Sequence, residues 1–324
     1  MEWDALYECC TLCPRQCRVN RLAGKRGYCG QNAQLVVSRA ALHLWEEPCI
    51  TGANGSGTVF FNGCSLGCVF CQNYEISGRK SENTQRVFAE AYSEISVQQA
   101  DSLHGKIITK EHLADIFLNL QGQGAANINL VTPAQFLPHI LWAIPAARQK
   151  GLSIPVVYNT SGYEEVSMLE RLDGLVDIYL PDLKYLTPET ARRYSGAADY
   201  PEKAKAALAE MVCQTGSAVF DSEGILKKGV VVRHLVLPGQ KEEAKAVVRY
   251  LYETYGDTVW LSILNQYTPM PRVQAYPELN RKLTTYEYEH VIKDALSLGV
   301  TQGFRQEGSA AAESFIPSFR GEGV

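Results

Sequence analysis

No run of this chain is apolar for long enough to cross a membrane as a helix, so a helical membrane protein is not expected. The opening Met1-Glu2-Trp3-Asp4-Ala5-Leu6 has neither a cationic start nor an apolar core, and no secretion signal is read there. An excess of positive charge is also missing. With 31 Lys and Arg against 35 Asp and Glu, the net charge of −4 gives no basic footprint for a nucleic acid. No internal repeat is seen beyond an alternation of strand and helix. What the chain does carry is cysteine, 10 in 324 residues. In an extracellular chain these would suggest disulfides. Clustered C-x2-C and C-x3-C spacings without a signal point instead to metal binding in a reducing cytoplasm, the expected location. The remainder, 46% hydrophobic and 20% charged, suits one large α/β domain with a small appendage.

Three of the cysteines fall within Cys64-Ser65-Leu66-Gly67-Cys68-Val69-Phe70-Cys71, just after the strand-like Gly57-Thr58-Val59-Phe60-Phe61. Three thiolates can hold three irons of a four-iron cluster and leave the fourth iron to something other than protein. An open metal position marks a site that does chemistry, as it does for catalytic zinc. Gly63 and Gly67 let the loop wrap a bulky inorganic group. The alternatives are a zinc knuckle or three unrelated core cysteines. Zinc would want a fourth ligand, and Cys49, upstream, is the only cheap candidate.

A second group lies near the start: Cys10, Cys13 and Cys17, the last two framing Pro14 and Arg15, and then Cys29 within Gly27-Tyr28-Cys29-Gly30. Four such ligands can close a site completely, as in a structural zinc or an electron-carrying iron-sulfur cluster, with Cys9 left as a spare. Softness alone does not choose between them, and buried reduced thiols are the bland alternative.

From about residue 56 the pattern repeats as strand, turn, helix. Apolar runs at 58–61, 128–131, 154–158, 176–180, 230–237 and 259–264 have strand length without strict alternation, as buried parallel strands do. Thr132-Pro133, Thr187-Pro188 and Tyr200-Pro201 open helices, and Gly151, Gly216, Gly256 and Gly299 stop them. Right-handed crossovers would curl six such units into an α/β open partial (βα)6 TIM-like barrel, preceded by a small Cys-rich segment. The expected organisation is a metal-binding segment over 1–55, the barrel over 56–305 with a polar surface insertion at 79–104, and a loosely held tail over 306–324.

With Phe70 before its last cysteine, C-x3-C-x2-C resembles the signature of the radical S-adenosylmethionine superfamily. The resemblance implies that the methionine moiety of S-adenosylmethionine fills the open iron of a [4Fe-4S] cluster. One electron then splits the sulfonium and yields a 5'-deoxyadenosyl radical that abstracts hydrogen from a substrate, with Cys64, Cys68 and Cys71 as the catalytic ligands. Further stretches narrow the resemblance to the pyruvate formate-lyase activating enzyme branch and its uncharacterised, PflX-type relatives. They are Cys71-Gln72-Asn73-Tyr74, Asn127-Ile128-Asn129-Leu130-Val131-Thr132-Pro133, Tyr158-Asn159-Thr160-Ser161-Gly162-Tyr163, Leu180-Pro181-Asp182-Leu183-Lys184 and Val232-Arg233-His234.

That likeness implies Lys184 for the carboxylate of the cofactor, Asp182 for a monovalent cation or a nearby polar contact, and Arg233 for cofactor or substrate. Asn159 and Thr160 match a position that is often Asp-Thr, so a charge is missing at Asn159. Gly124-Ala125-Ala126-Asn127 stands where Gly-Gly-Glu is usual, which leaves Gly124 and Asn127 as cofactor contacts and Ala126 without an acceptor. Asn129 and Thr132 are further candidates. His234 is expected to pack away from the site, and Asn265-Gln266-Tyr267 to line it or to pack. By analogy with radical enzymes that carry auxiliary clusters, the first cysteine group leans towards iron-sulfur. The function expected is hydrogen abstraction, with a glycyl-radical enzyme or peptide as substrate and flavodoxin or ferredoxin as electron donor. The alternatives are radical modification or methylation of a small molecule or peptide, and a non-catalytic iron-sulfur redox sensor.

Overall fold

Apolar runs too short for helices and bounded by turn residues become the strands of a single curved sheet. In the computed structural model, which describes residues 3–77, 105–305 and 319–324, the elements run α1 (Ala5–Glu8), β1 (Leu35–His43), α2 (Pro48–Thr51), β2 (Ser56–Phe61), β3 (Lys106–Ile108), α3 (Lys110–Gly122), β4 (Ile128–Val131), α4 (Leu137–Gln149) and β5 (Val156–Thr160). They continue with α5 (Val166–Leu169), β6 (Ile178–Pro181), α6 (Pro188–Ser195), α7 (Tyr200–Thr215), β7 (Val219–Phe220), β8 (Leu226–Leu235), α8 (Lys241–Tyr255), β9 (Trp260–Leu264), α9 (Thr285–Leu298) and β10 (Gly303–Arg305). The sheet order is β10-β9-β8-β6-β5-β4-β2-β1-β3, with β7 paired to β8. From β2 to β10 the neighbours are parallel, whereas β1 lies antiparallel between β2 and β3. The six expected strands are β2, β4, β5, β6, β8 and β9, and the partial barrel stays open.

Alternation along each strand sorts the two faces. Val156, Tyr158, Tyr179, Val230 and Val232 join the helices' Phe117, Ile144, Leu208 and Val247 in the outer core. Val157, Ile178, Leu180 and Val231 form a separate inner cluster with Cys49 and Ile50 of α2. The short helix thus closes the end of the barrel from which the strands start.

Two segments fall elsewhere than the sequence suggested. Residues 35–55, grouped there with the cysteine segment, belong to the sheet and its plug, since β1 pairs with β2 from Val37 opposite Phe61 to His43 opposite Ser56. The end of the tail is docked rather than loose: Phe319 is buried against Phe60 at 5.3 Å between ring centroids, and Ala40 N–H donates to Glu322 O at 2.9 Å. The insertion at 79–104 and the rest of the tail, 306–318, lie outside the described residues. Among the described residues no helix is long and apolar enough to cross a membrane.

Candidate active site

The end of β2 feeds the loop that carries Cys64, Cys68 and Cys71. Gly63 has φ 90°, and a Cβ there would stand 2.7 Å from Cys29 O, so the loop passes against the amino-terminal cysteine segment with no room for a side chain. Each of the three sulfurs has a donor: Leu66 N–H to Cys64 at 3.4 Å, Ser195 Oγ to Cys68 at 3.1 Å, and the Asn73 backbone N–H to Cys71. Burial pushes the Cys68 thiol up and the Cys71 thiol up to about 12, and the neighbouring thiols of the set add to the shift. Such thiols stay protonated until a metal takes the proton's place.

Among the described residues no three His, Cys, Asp or Glu side chains are grouped to hold one metal ion. A four-iron cube carries its thiolates at separate corners, so its ligands need not converge on a point. Three soft sulfurs with hydrogen-bond donors, beside a lysine, fit that group.

A ladder of polar side chains rises through the barrel toward these cysteines. Arg233 of β8 donates to Asp182 at 2.9 Å, to Asn159 at 2.6 Å and to Glu46 at 3.4 Å. Glu46 also accepts from Asn129 at 3.1 Å and from Asn159 at 3.4 Å. Lys184 Nζ lies 2.6 Å from Asp182, close enough to Cys68 to act on it, and 6.0 Å from the ring centroid of Phe70. Burial alone would raise the Asp182 carboxyl, but Arg233 and Lys184 outweigh it and hold it below the usual range. Burial raises Glu46 and Glu47, with Arg233 opposing both shifts. Three acids face two bases, and Glu47 Oε2 is buried without a partner, as is Asn129 Oδ1.

Of the residues singled out in the sequence, Asn159, Asp182, Lys184 and Arg233 come together in this ladder, and Asn129 joins them. Thr160 does not: alternation turns it to the other face, where its hydroxyl donates to Glu164. Gly124 and Asn127 precede β4, at the opposite end of the barrel from the cysteine loop. There Asn127 accepts from Ser56 at 2.6 Å and donates to Ile50 O at 2.7 Å, and a Cβ on Gly124 would meet Asn54. Neither is placed for a cofactor held at the cysteine loop, and the missing acceptor at Ala126 is of no consequence there. The residues that do end β4 are Val131, Thr132 and Pro133, and Thr132 has the positive φ of 55° that a β-branched residue seldom adopts. Gln135 ties that strand end to the loop, donating to Asn62 O at 2.9 Å and Gly63 O at 3.0 Å.

Phe70 packs among Tyr185 and Tyr267. Tyr267 spends its hydroxyl on Leu279 O at 2.6 Å, and His234 is buried with Nδ1 2.7 Å from Leu183 O. Sequence reasoning missed Glu46, Glu47 and Glu164. Glu46 supplies the carboxylate that Asn159 lacks, from outside the strand. Its one signal was a pair of acids, Glu46-Glu47, before the Pro48 of an otherwise apolar turn.

The amino-terminal cysteines share one neighbourhood and, like the first three, do not converge on a single ion. Tyr28 N–H donates to Cys17 at 3.1 Å, Arg21 Nη1 lies 3.8 Å from Cys10, and backbone N–H groups of Arg15 and Gln31 donate to Cys13 and Cys29. A Cβ on Gly27 would stand 3.4 Å from Cys17 Sγ and 3.8 Å from Cys29 Sγ. Cys9 is exposed, with its sulfur 4.0 Å from Arg18 O.

An open parallel barrel with three cysteines at the end of its first parallel strand defines a class. Residues 58–251 match the model of the radical SAM superfamily, more than half of the chain, and the chain belongs to that superfamily. It is therefore an enzyme of radical chemistry, served by a [4Fe-4S] cluster and S-adenosylmethionine. Among individual relatives, it is similar to the uncharacterized protein MJ0674 of Methanocaldococcus jannaschii, 28% identical over 288 residues that cover 89% of this chain and 74% of that one. Two solved structures overlap it in part. The FeFe-hydrogenase maturase HydG of Carboxydothermus hydrogenoformans does so with TM-score 0.44 and 15% identity, over 80% of this chain and 56% of its own. SuiB of Streptococcus suis, bound to S-adenosylmethionine, does so with TM-score 0.45 and 13% identity, over 76% of this chain and 48% of its own.

Proposed function

We propose that Cys64, Cys68 and Cys71 hold the [4Fe-4S] cluster and that the chain abstracts hydrogen from a substrate seated in the barrel, as an activating enzyme does from a glycine of its partner. When bound, cluster and S-adenosylmethionine together supply the 5'-deoxyadenosyl radical. The observation that carries the reading is Lys184, held by Asp182 at 2.6 Å while acting on Cys68, so that a cation waits beside the three sulfurs. Lys184 receives the cofactor carboxylate, Asp182 and Glu46 hold Arg233 toward the interior, and α2 keeps water from the base.

A flavodoxin or ferredoxin of the cytoplasm delivers the electron. A second soft-metal centre, iron-sulfur or zinc, fills Cys10, Cys13, Cys17 and Cys29. Its seat against Gly63 favours a second reading, in which the substrate is a small molecule or peptide that a radical modifies beside an auxiliary cluster.

Anaerobic reconstitution, dithionite reduction and chromatography of the products test this. Release of 5'-deoxyadenosine by the parent chain and its loss in C68A are expected, and no release from fully loaded protein would leave a redox sensor. A glycyl radical signal on an added partner enzyme separates the first substrate from the second.

A further inference from the structure

Arg15 stands between two of the amino-terminal cysteines, yet it spends its guanidinium on the loop of the other three. It donates to Ser65 O at 2.9 Å and Leu66 O at 2.9 Å in the cluster loop, and to Gly196 O at 2.8 Å and Ser195 O at 3.3 Å at the carboxyl end of α6. Ser195 is the residue whose hydroxyl reaches Cys68. Tyr28, next to Cys29, stacks on the same guanidinium at 3.8 Å and sends its own hydroxyl to Leu66 O at 3.3 Å. Two residues embedded in one cysteine set therefore hold the backbone of the other.

The set that anchors them is arranged for negative charge. Arg21 is 1% exposed, donates to Asn32 O at 2.6 Å and faces Cys10 at 3.8 Å. Among the described residues no carboxylate pairs with it. A guanidinium buried without an anion is costly, and a four-thiolate metal centre supplies that anion whether iron or zinc fills it. The backbone around Cys17 points the same way. Gln16 and Arg18 both have positive φ, 40° and 54°, a strain that persists only where the surroundings fix it.

We propose that metal bound by Cys10, Cys13, Cys17 and Cys29 fixes the cluster loop through Arg15 and Tyr28, so that filling of the amino-terminal set governs retention of the cluster at Cys64, Cys68 and Cys71. This rests on the reading of both sets as metal ligands. Emptying the amino-terminal set releases the segment that carries Arg15, and the loop carbonyls lose their charged donor. Arg15 is a positioning residue, and it touches no reacting atom.

The test uses the full chain reconstituted anaerobically with iron and sulfide. Iron and zinc are counted per chain, iron loss to a chelator is timed, and the electron paramagnetic resonance signal of the reduced cluster is recorded with and without S-adenosylmethionine. R15Q is expected to keep the amino-terminal metal, to lose iron from the Cys64 loop about tenfold faster, and to show a diminished response to S-adenosylmethionine, with R15K restoring part of each. About tenfold is what loss of a charge-assisted hydrogen bond worth about 1.5 kcal/mol gives. The C13S/C17S double variant is expected to lose the amino-terminal metal and to show the same rapid loss of iron at the intact loop. Y28F, which removes only the hydroxyl contact, gives a smaller effect of the same sign and serves if R15Q does not fold. Iron or zinc at the amino-terminal set supports the proposal alike. Parental metal content in C13S/C17S overturns the metal reading on which it rests, whereas parental iron retention and cofactor response in R15Q and Y28F overturn the coupling alone.

Discussion

Single residues in the barrel are best understood by counting charge. Asp182, Glu46 and Glu47 face Arg233 and Lys184, so the buried set carries one acid more than it has bases. Removing a cation and removing an acid are therefore unequal. R233M leaves three acids with one base and is expected to cost about 3–5 kcal/mol, whereas E46Q leaves two of each and costs less than about 1.5 kcal/mol. Urea unfolding of the two variants beside the parent measures the difference. Glu164 gives a pH signature. Burial raises its carboxyl from 4.5 to about 7, against hydrogen bonds from Thr160 and Tyr158 that work the other way. The unfolded chain gives up that proton first, so the folded state loses stability as pH climbs between these values, by on the order of 3 kcal/mol in all. E164Q titrates nowhere in that range. Its stability relative to the parent is expected to rise from pH 4.5 to 7 and then level off, as unfolding curves at pH 5, 6, 7 and 8 would show.

At the scale of elements, the strands were legible because parallel strands buried on both faces read as short unbroken apolar runs, and the punctuation around α4, α6, α7 and α8 fixed their limits. Direction was harder. Gly124 and Asn127 are expected at the cofactor because they stand where Gly-Gly-Glu is usual, but they adjoin the start of β4, and in a parallel barrel only strand ends reach the cysteine loop. The plug was not legible at all. Four residues of α2 have no periodicity to read, and the value of Glu46 depends on strands far along the chain that meet it only on folding. The joint between cysteine loop and amino-terminal segment makes its own prediction. G63A places a Cβ 2.6 Å from Gln31 Cγ and 2.7 Å from Cys29 O at a φ of 90°. It is expected to lower stability by about 2 kcal/mol or more and to reduce iron bound at reconstitution, both measurable on the purified variant.

For the whole molecule, both chain ends return to the catalytic half. The amino-terminal segment clasps the cysteine loop through Arg15, and Phe319 packs with Phe60, Ile76 and Val131 where β2 and β4 finish. F319A is expected to cost about 3–4 kcal/mol and to lower the melting temperature, as a buried aromatic removed from a packed cluster does, while leaving the metal content of the amino-terminal set at the parental level. Composition and spacing foretold the barrel, since its strands and turns are local patterns, and they singled out two groups of cysteine for the same reason. They could not foretell that the groups touch, because that contact belongs to a loop and a turn with no pattern in common. The plug formed by Cys49 and Ile50 has a last consequence. With the strand-start end stoppered and the sheet edges unjoined, anything that reaches Glu46 comes from the cysteine-loop end or through the lateral gap, and ordered against random addition in product-inhibition kinetics would tell the two routes apart.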